Sequence, residues 1–167
     1  MTAPAPAPAP TTETTTTNGK PLIVGTCACR KTRYHTTSPP TGLTFCYCRT
    51  CRLLHGAPFA PFTNVPSAHF HWIDKEELIE VHTSPVATRT LCGGCYAPIT
   101  MVYRDRPEVV GVVASTVDEG ESEGGVPREV EEHMFVEGKP AWFVIGDQGK
   151  QVVGVPEGLK GLIPEGL

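Results

Sequence analysis

Seven cysteines fall into three short groups, Cys27-Ala28-Cys29, Cys46-Tyr47-Cys48-Arg49-Thr50-Cys51 and Cys92-Gly93-Gly94-Cys95. An odd number of closely spaced thiols cannot all pair as disulfides, and such spacing suits metal ligation. Zinc takes four tetrahedral ligands, with sulfur at about 2.3 Å, and a short turn between two cysteines holds both thiolates near one ion at small entropic cost. The most economical partition joins Cys27, Cys29, Cys92 and Cys95 into a closed, structural zinc site. Cys46, Cys48 and Cys51 remain as three ligands from one stretch, with a fourth position open to water, a thiolate or a carbonyl oxygen, as catalytic zinc requires. Two zinc ions per chain are therefore expected. His55, one helical turn after Cys51, is the alternative fourth ligand and would close the second site.

The elements that must position these groups read as β-structure. Short β-like runs broken by Gly and Pro occupy Pro21–Gly25, Thr32–Thr37, Leu43–Tyr47, Phe59–Val65, Phe70–Ile73, Leu78–His82, Thr88–Leu91, Ile99–Tyr103 and Val109–Ala114. Regular spacing of such runs favours an all-β sandwich or tent. One helical turn is expected over Arg49–Leu54, stopped by Gly56 and Pro58. Gly93 and Gly94 suit a tight knuckle. Residues 1–19, an Ala/Pro repeat and a Thr-rich run, bury too little apolar surface to offset their ordering entropy and read as a disordered tail. Residues 20–145 form the zinc-binding domain, and 146–167 a Gly/Pro-rich extension that wraps loosely over it. The acidic stretch Asp118–Glu132 reads as a solvated loop.

Whole-chain properties narrow the function classes. A formal charge of -4 over 167 residues, with Lys and Arg scattered, argues against phosphate neutralisation and hence against nucleic acid as a partner. No apolar run is long enough for a membrane helix, and the Ala/Pro start lacks a signal's basic and apolar regions, so a cytoplasmic location is expected.

With the cysteines placed, the chain resembles the glutathione-dependent formaldehyde-activating enzymes, a family that includes centromere protein V. The resemblance rests on Gly25-Thr-Cys27-Ala-Cys29, Thr32-Arg-Tyr34, Cys46-Tyr-Cys48-Arg-Thr-Cys51-Arg52, Gly56-Ala57-Pro58, Arg89-Thr-Leu-Cys92-Gly-Gly-Cys95, Thr116-Val-Asp118 and Pro140-Ala-Trp142. It implies a β-tent of antiparallel sheets with zinc-binding knuckles, a structural zinc on the two doublets and a catalytic zinc on the triplet. It further implies carbon-sulfur lyase chemistry like that of an S-hydroxymethylglutathione synthase, with glutathione and formaldehyde as small-molecule partners. Four positions depart from the family pattern: Tyr47 stands where His is usual, Arg30 and Tyr96 stand where Gly usually follows each doublet, and His55 stands where Ser or a similar small residue is common. A tyrosine is a poorer base than histidine near neutral pH, so the pocket and its substrate are expected to differ.

Among the remaining residues, Arg89 is a candidate to bind a substrate carboxylate, and Arg49 and Arg52 flank the triplet and would lower thiolate pKa values. His69 and His71 share a strand face in the sequence pattern, but seven thiols already account for two ions. His133 reads as a core or surface histidine, Asp118 as a turn cap, and Trp72, Trp142, Phe59 and Phe62 as core or pocket walls. The rival readings are a non-catalytic zinc-stabilised binding module and, more remotely, a metal-free thiol switch.

Overall fold

A computed structural model describes residues 21–75 and 77–163; the expected N-terminal tail lies outside the described residues. Eleven strands and one helix follow in the order β1 (Ile23–Thr26), β2 (Arg33–Thr36), β3 (Thr41–Cys46), α1 (Arg49–His55), β4 (Ala60–Pro66), β5 (Phe70–Asp74), β6 (Leu78–Ser84), β7 (Ala87–Cys92), β8 (Pro98–Tyr103), β9 (Val109–Val113), β10 (Glu132–Met134) and β11 (Lys150–Val152). The nine strands expected from sequence are present, and the helix runs one residue further than expected. β10 and β11, three residues each, carry no readable alternation, and Glu132 leaves the acidic loop to pair in β10.

β1, β2 and β5 form a small antiparallel sheet, while the large sheet has the order β11-β10-β3-β4-β9-β8-β7-β6. It is antiparallel except where β10 runs parallel to both β3 and β11. Period-two alternation divides the core between the two faces of this sheet. In β9, Val110 and Val112 join Ile23, Tyr34, Val65 and Ile99 beneath the small sheet, whereas Val113 turns to the opposite face. There it meets Phe62, Ala60, Met101 and Met134, together with Cys46 and Cys51. Each buried Val or Ile contributes about 1.5–3 kcal/mol through burial.

The segment after β11 crosses the thiol-bearing face, and Leu159 and Ile163 are buried in its core. Trp142, expected in the core or a pocket wall, is 74% exposed, which rules out the core, and touches Phe143 edge-on. No helix is long and apolar enough to cross a membrane among the described residues.

Candidate metal centres

The two doublets sit on knuckles built alike. The Arg30 amide donates to the Cys27 carbonyl at 3.0 Å and the Tyr96 amide to that of Cys92 at 2.8 Å. Both turns close through a left-handed residue, Arg30 at φ 62° and Tyr96 at φ 58°. These are the two positions where the resemblance leads to glycine being expected, and a left-handed backbone is what glycine adopts at least cost. The knuckles meet with Cys27 and Cys29 sulfurs 3.4 Å apart and Cys29 and Cys92 sulfurs 3.7 Å apart. All four sulfurs, with Cys95, lie within 4.8 Å of one another. A tetrahedron with 2.3 Å arms has edges of about 3.8 Å, so the donor set fits one zinc.

The triplet is positioned by two ladders and a helix start. Cys46, the last residue of β3, lies opposite Ala60 on one side and Met134 on the other. The Tyr47 amide then donates to the Met134 carbonyl at 2.9 Å. Cys48 is the N-cap of α1, its sulfur accepting from the Cys51 amide, and Gly56 ends the helix at φ 58°, a conformation that glycine adopts without a Cβ clash. Cys46, Cys48 and Cys51 sulfurs all lie within 4.8 Å of one another. Hydrogen bonds from Cys46 and then Cys51 hold the Cys48 thiol far below its ordinary range, whereas bonding to Cys48 and Cys51, with burial, pushes Cys46 well up. A metal ion bound by the three sulfurs would displace the protons they hold.

His55 does not join this group of ligand atoms; its ring meets Phe62 edge-on at 5.8 Å. Burial, with Arg89 adding, lowers its pKa to about 4. His69 sits in a 3-10 turn ahead of β5 and bonds Thr37, while His71 stacks on His35, so the two do not act as a pair. Asp118 does cap a turn, accepting from the Gly120 and Glu121 amides.

Above the triplet lies a cavity of about 90 Å³. Its floor is the three thiols, and its walls include Arg49, Val86, Arg89, Tyr103, Phe135 and Ile163. Arg89 is 6% exposed and its charge helps hold the Cys48 thiol down. Arg49 stands exposed at the rim. Arg52 points elsewhere, its Nε donating to the Tyr47 carbonyl at 3.2 Å. Sequence reasoning found Arg89 and Arg49 but missed Tyr103, Phe135 and Ile163, whose types carry no signal beyond hydrophobicity.

Tyr47, the residue at the family's histidine position, does not line this cavity. It is fully buried, and its hydroxyl lies 3.0 Å from His133 Nδ1. His133 Nε2 in turn lies 2.6 Å from Asp147 Oδ1. The pattern that satisfies all three groups has Tyr47 donating to Nδ1 and Nε2 donating to the carboxylate. Burial, with the Asp147 charge adding, pushes the phenol up to about 12, which keeps it a donor. The hydrogen bond from His133 holds Asp147 below the usual carboxylate range. Gly138 lets the 3-10 turn after β10 lie against this loop, since a Cβ there would be 2.6 Å from the Tyr47 carbonyl oxygen.

Fold and site together define a mostly β protein with two cysteine clusters, each able to hold a metal ion. The sequence profile described as glutathione-dependent formaldehyde-activating enzyme matches residues 22–137, and the chain belongs to that family. A crystal structure of a Rhodobacter sphaeroides protein shares the fold, with TM-score 0.50 and 23% identity over 64% of this chain and 96% of that one. No curated protein matches the sequence.

Proposed function

We propose that this protein is a zinc-dependent carbon-sulfur lyase that joins and splits a thiol and an aldehyde. Cys46, Cys48 and Cys51 hold the working ion, and Cys27, Cys29, Cys92 and Cys95 hold a structural one. The observation that carries this reading is three converging thiols on the floor of a cavity whose walls present two guanidinium groups. When bound, zinc would supply Lewis acidity and an anchoring point for a substrate sulfur.

The chain's own charges suit a thiolate guest. Three thiolates less a divalent charge leave one negative charge, and a guest thiolate makes two. Arg49 and Arg89 bring two positive charges to the same cavity. Val86, Phe135 and Ile163 make part of the lining apolar, which strengthens these attractions. In the condensing direction the sulfur electron pair forms a C–S bond to the aldehyde carbon and the carbonyl π pair moves to oxygen. The proton given up by the thiol ends on that oxygen, so a thiol and formaldehyde give a hydroxymethyl thioether with every atom retained. Arg89 and Tyr103 are the wall groups that can hold charge developing on the oxygen. Family membership favours a thiol and formaldehyde as the reactant type, and the size of the cavity then bears on which thiol enters.

Metal analysis and cobalt replacement test the reading. Two ions per chain are expected, with the sulfur-to-metal absorption of one ion changing on addition of a thiol. In Cys48→Ser that response disappears, and formaldehyde release from a hydroxymethyl thioether falls by at least a hundredfold. A single ion per chain, or two ions whose spectra no thiol alters, would overturn it.

A further inference from the structure

The thiol cavity is small for a tripeptide thiol. At the roughly 10–15 Å³ that one water position takes, its 90 Å³ admits roughly six to nine non-hydrogen atoms. Sites that enclose drug-sized ligands run to roughly 300–1,000 Å³. A second cavity of about 170 Å³ lies on the same sheet face and shares Met101 and Tyr103 with the first. The segment after β11 covers both, with Pro156, Gly158 and Leu159 over the second cavity and Ile163 over the thiols. Leu159 and Ile163 are buried in the same core cluster as Cys46 and Cys51, so the segment divides the face into two chambers. The family match ends at residue 137, and this dividing segment lies beyond it.

We propose that residues 156–163 set the substrate size of the thiol chamber, restricting it to adducts of small thiols with a short, uncharged arm. The inference rests on the lyase reading and names its substrate class. The size limit follows from Ile163, Phe135 and Val86 lining the same small cavity as the three thiols. The charge preference follows from the guanidinium charges already being matched by one guest thiolate. A carboxylate on the arm would add an uncompensated charge beside Val86, Phe135 and Ile163. A glutathione-sized body exceeds the volume of the thiol chamber, and Met101 and Tyr103 line both chambers where they adjoin.

The test is a titration of the cobalt-loaded, full-length protein with 2-mercaptoethanol, mercaptoacetate and glutathione, reading the sulfur-to-metal absorption. In the unaltered protein 2-mercaptoethanol should half-saturate the spectral change at a concentration at least tenfold below either of the others. Ile163→Ala should lower that ratio for glutathione at least threefold, and Ile163→Phe should raise it. Val86→Ala, elsewhere in the cavity lining, supplies an independent widening should Ile163→Ala load metal poorly. Equal response to 2-mercaptoethanol and glutathione, or a ratio unmoved by widening either wall, overturns the size limit and leaves the lyase reading standing. Absence of response to all three thiols overturns the lyase reading itself.

Discussion

Removing one oxygen from Tyr47 tests whether the chain from Tyr47 through His133 to Asp147 fixes the triplet loop. In Tyr47→Phe the ring still fills its place among Phe59, Phe143 and His133. His133 Nδ1, on a residue 1% exposed, then loses the donor 3.0 Å away. A buried acceptor left without its partner costs about 1–3 kcal/mol. For a domain of this length that lowers Tm by roughly 2–4 °C per kcal/mol, so a fall of about 4–8 °C is expected for a mid-range loss. Asp147→Asn should cost less, because its side chain is 41% exposed and water replaces part of the bond. Urea unfolding of the metal-loaded single and double variants gives the coupling, expected at about 0.5–3 kcal/mol for groups in one network. A loss below about 0.5 kcal/mol in Tyr47→Phe, outside the range for an orphaned buried acceptor, would refute the reasoning.

Arg30→Gly and Tyr96→Gly should each leave stability unchanged or raise it by up to about 1 kcal/mol, since relief of left-handed strain outweighs glycine's added unfolded-state entropy; a loss in denaturant midpoint counts against this. Cys95→Ser should remove the four-sulfur site, and since a structural zinc contributes on the order of 10 kcal/mol to folding, circular dichroism should show an unfolded chain at 25 °C. His55 is held neutral by burial, its pKa lowered to about 4. Between that value and about 6.5 the unfolded chain therefore binds more protons, and stability falls as pH falls. After allowing for partial solvent screening, the drop from pH 6.5 to 5.5 should exceed that of His55→Gln by about 0.5–1 kcal/mol. Parallel curves for the two proteins would show that His55 is not the cause.

The spacing of Cys27, Cys29, Cys92 and Cys95 was enough to propose one four-sulfur site, because short turns admit few other arrangements. The strands were readable wherever alternation or a Gly/Pro stop marked them, as in β4 and β9. β10 was hidden because three residues at the end of an acidic stretch form a strand only when β3 and β11 flank them. Trp142 was misplaced because an aromatic residue's type does not say which side of a loop it faces.

The sequence by itself determined which atoms can bind metal, since ligand chemistry and short-range spacing are properties of the chain read locally. Only the tertiary structure decided what surrounds them: Arg89 from β7, Phe135 after β10 and Ile163 far along the chain meet over the triplet. It also turned Tyr47 away from the cavity toward His133 and Asp147. Those neighbours are chosen by sheet order and by packing between residues distant in sequence, and no local pattern records either.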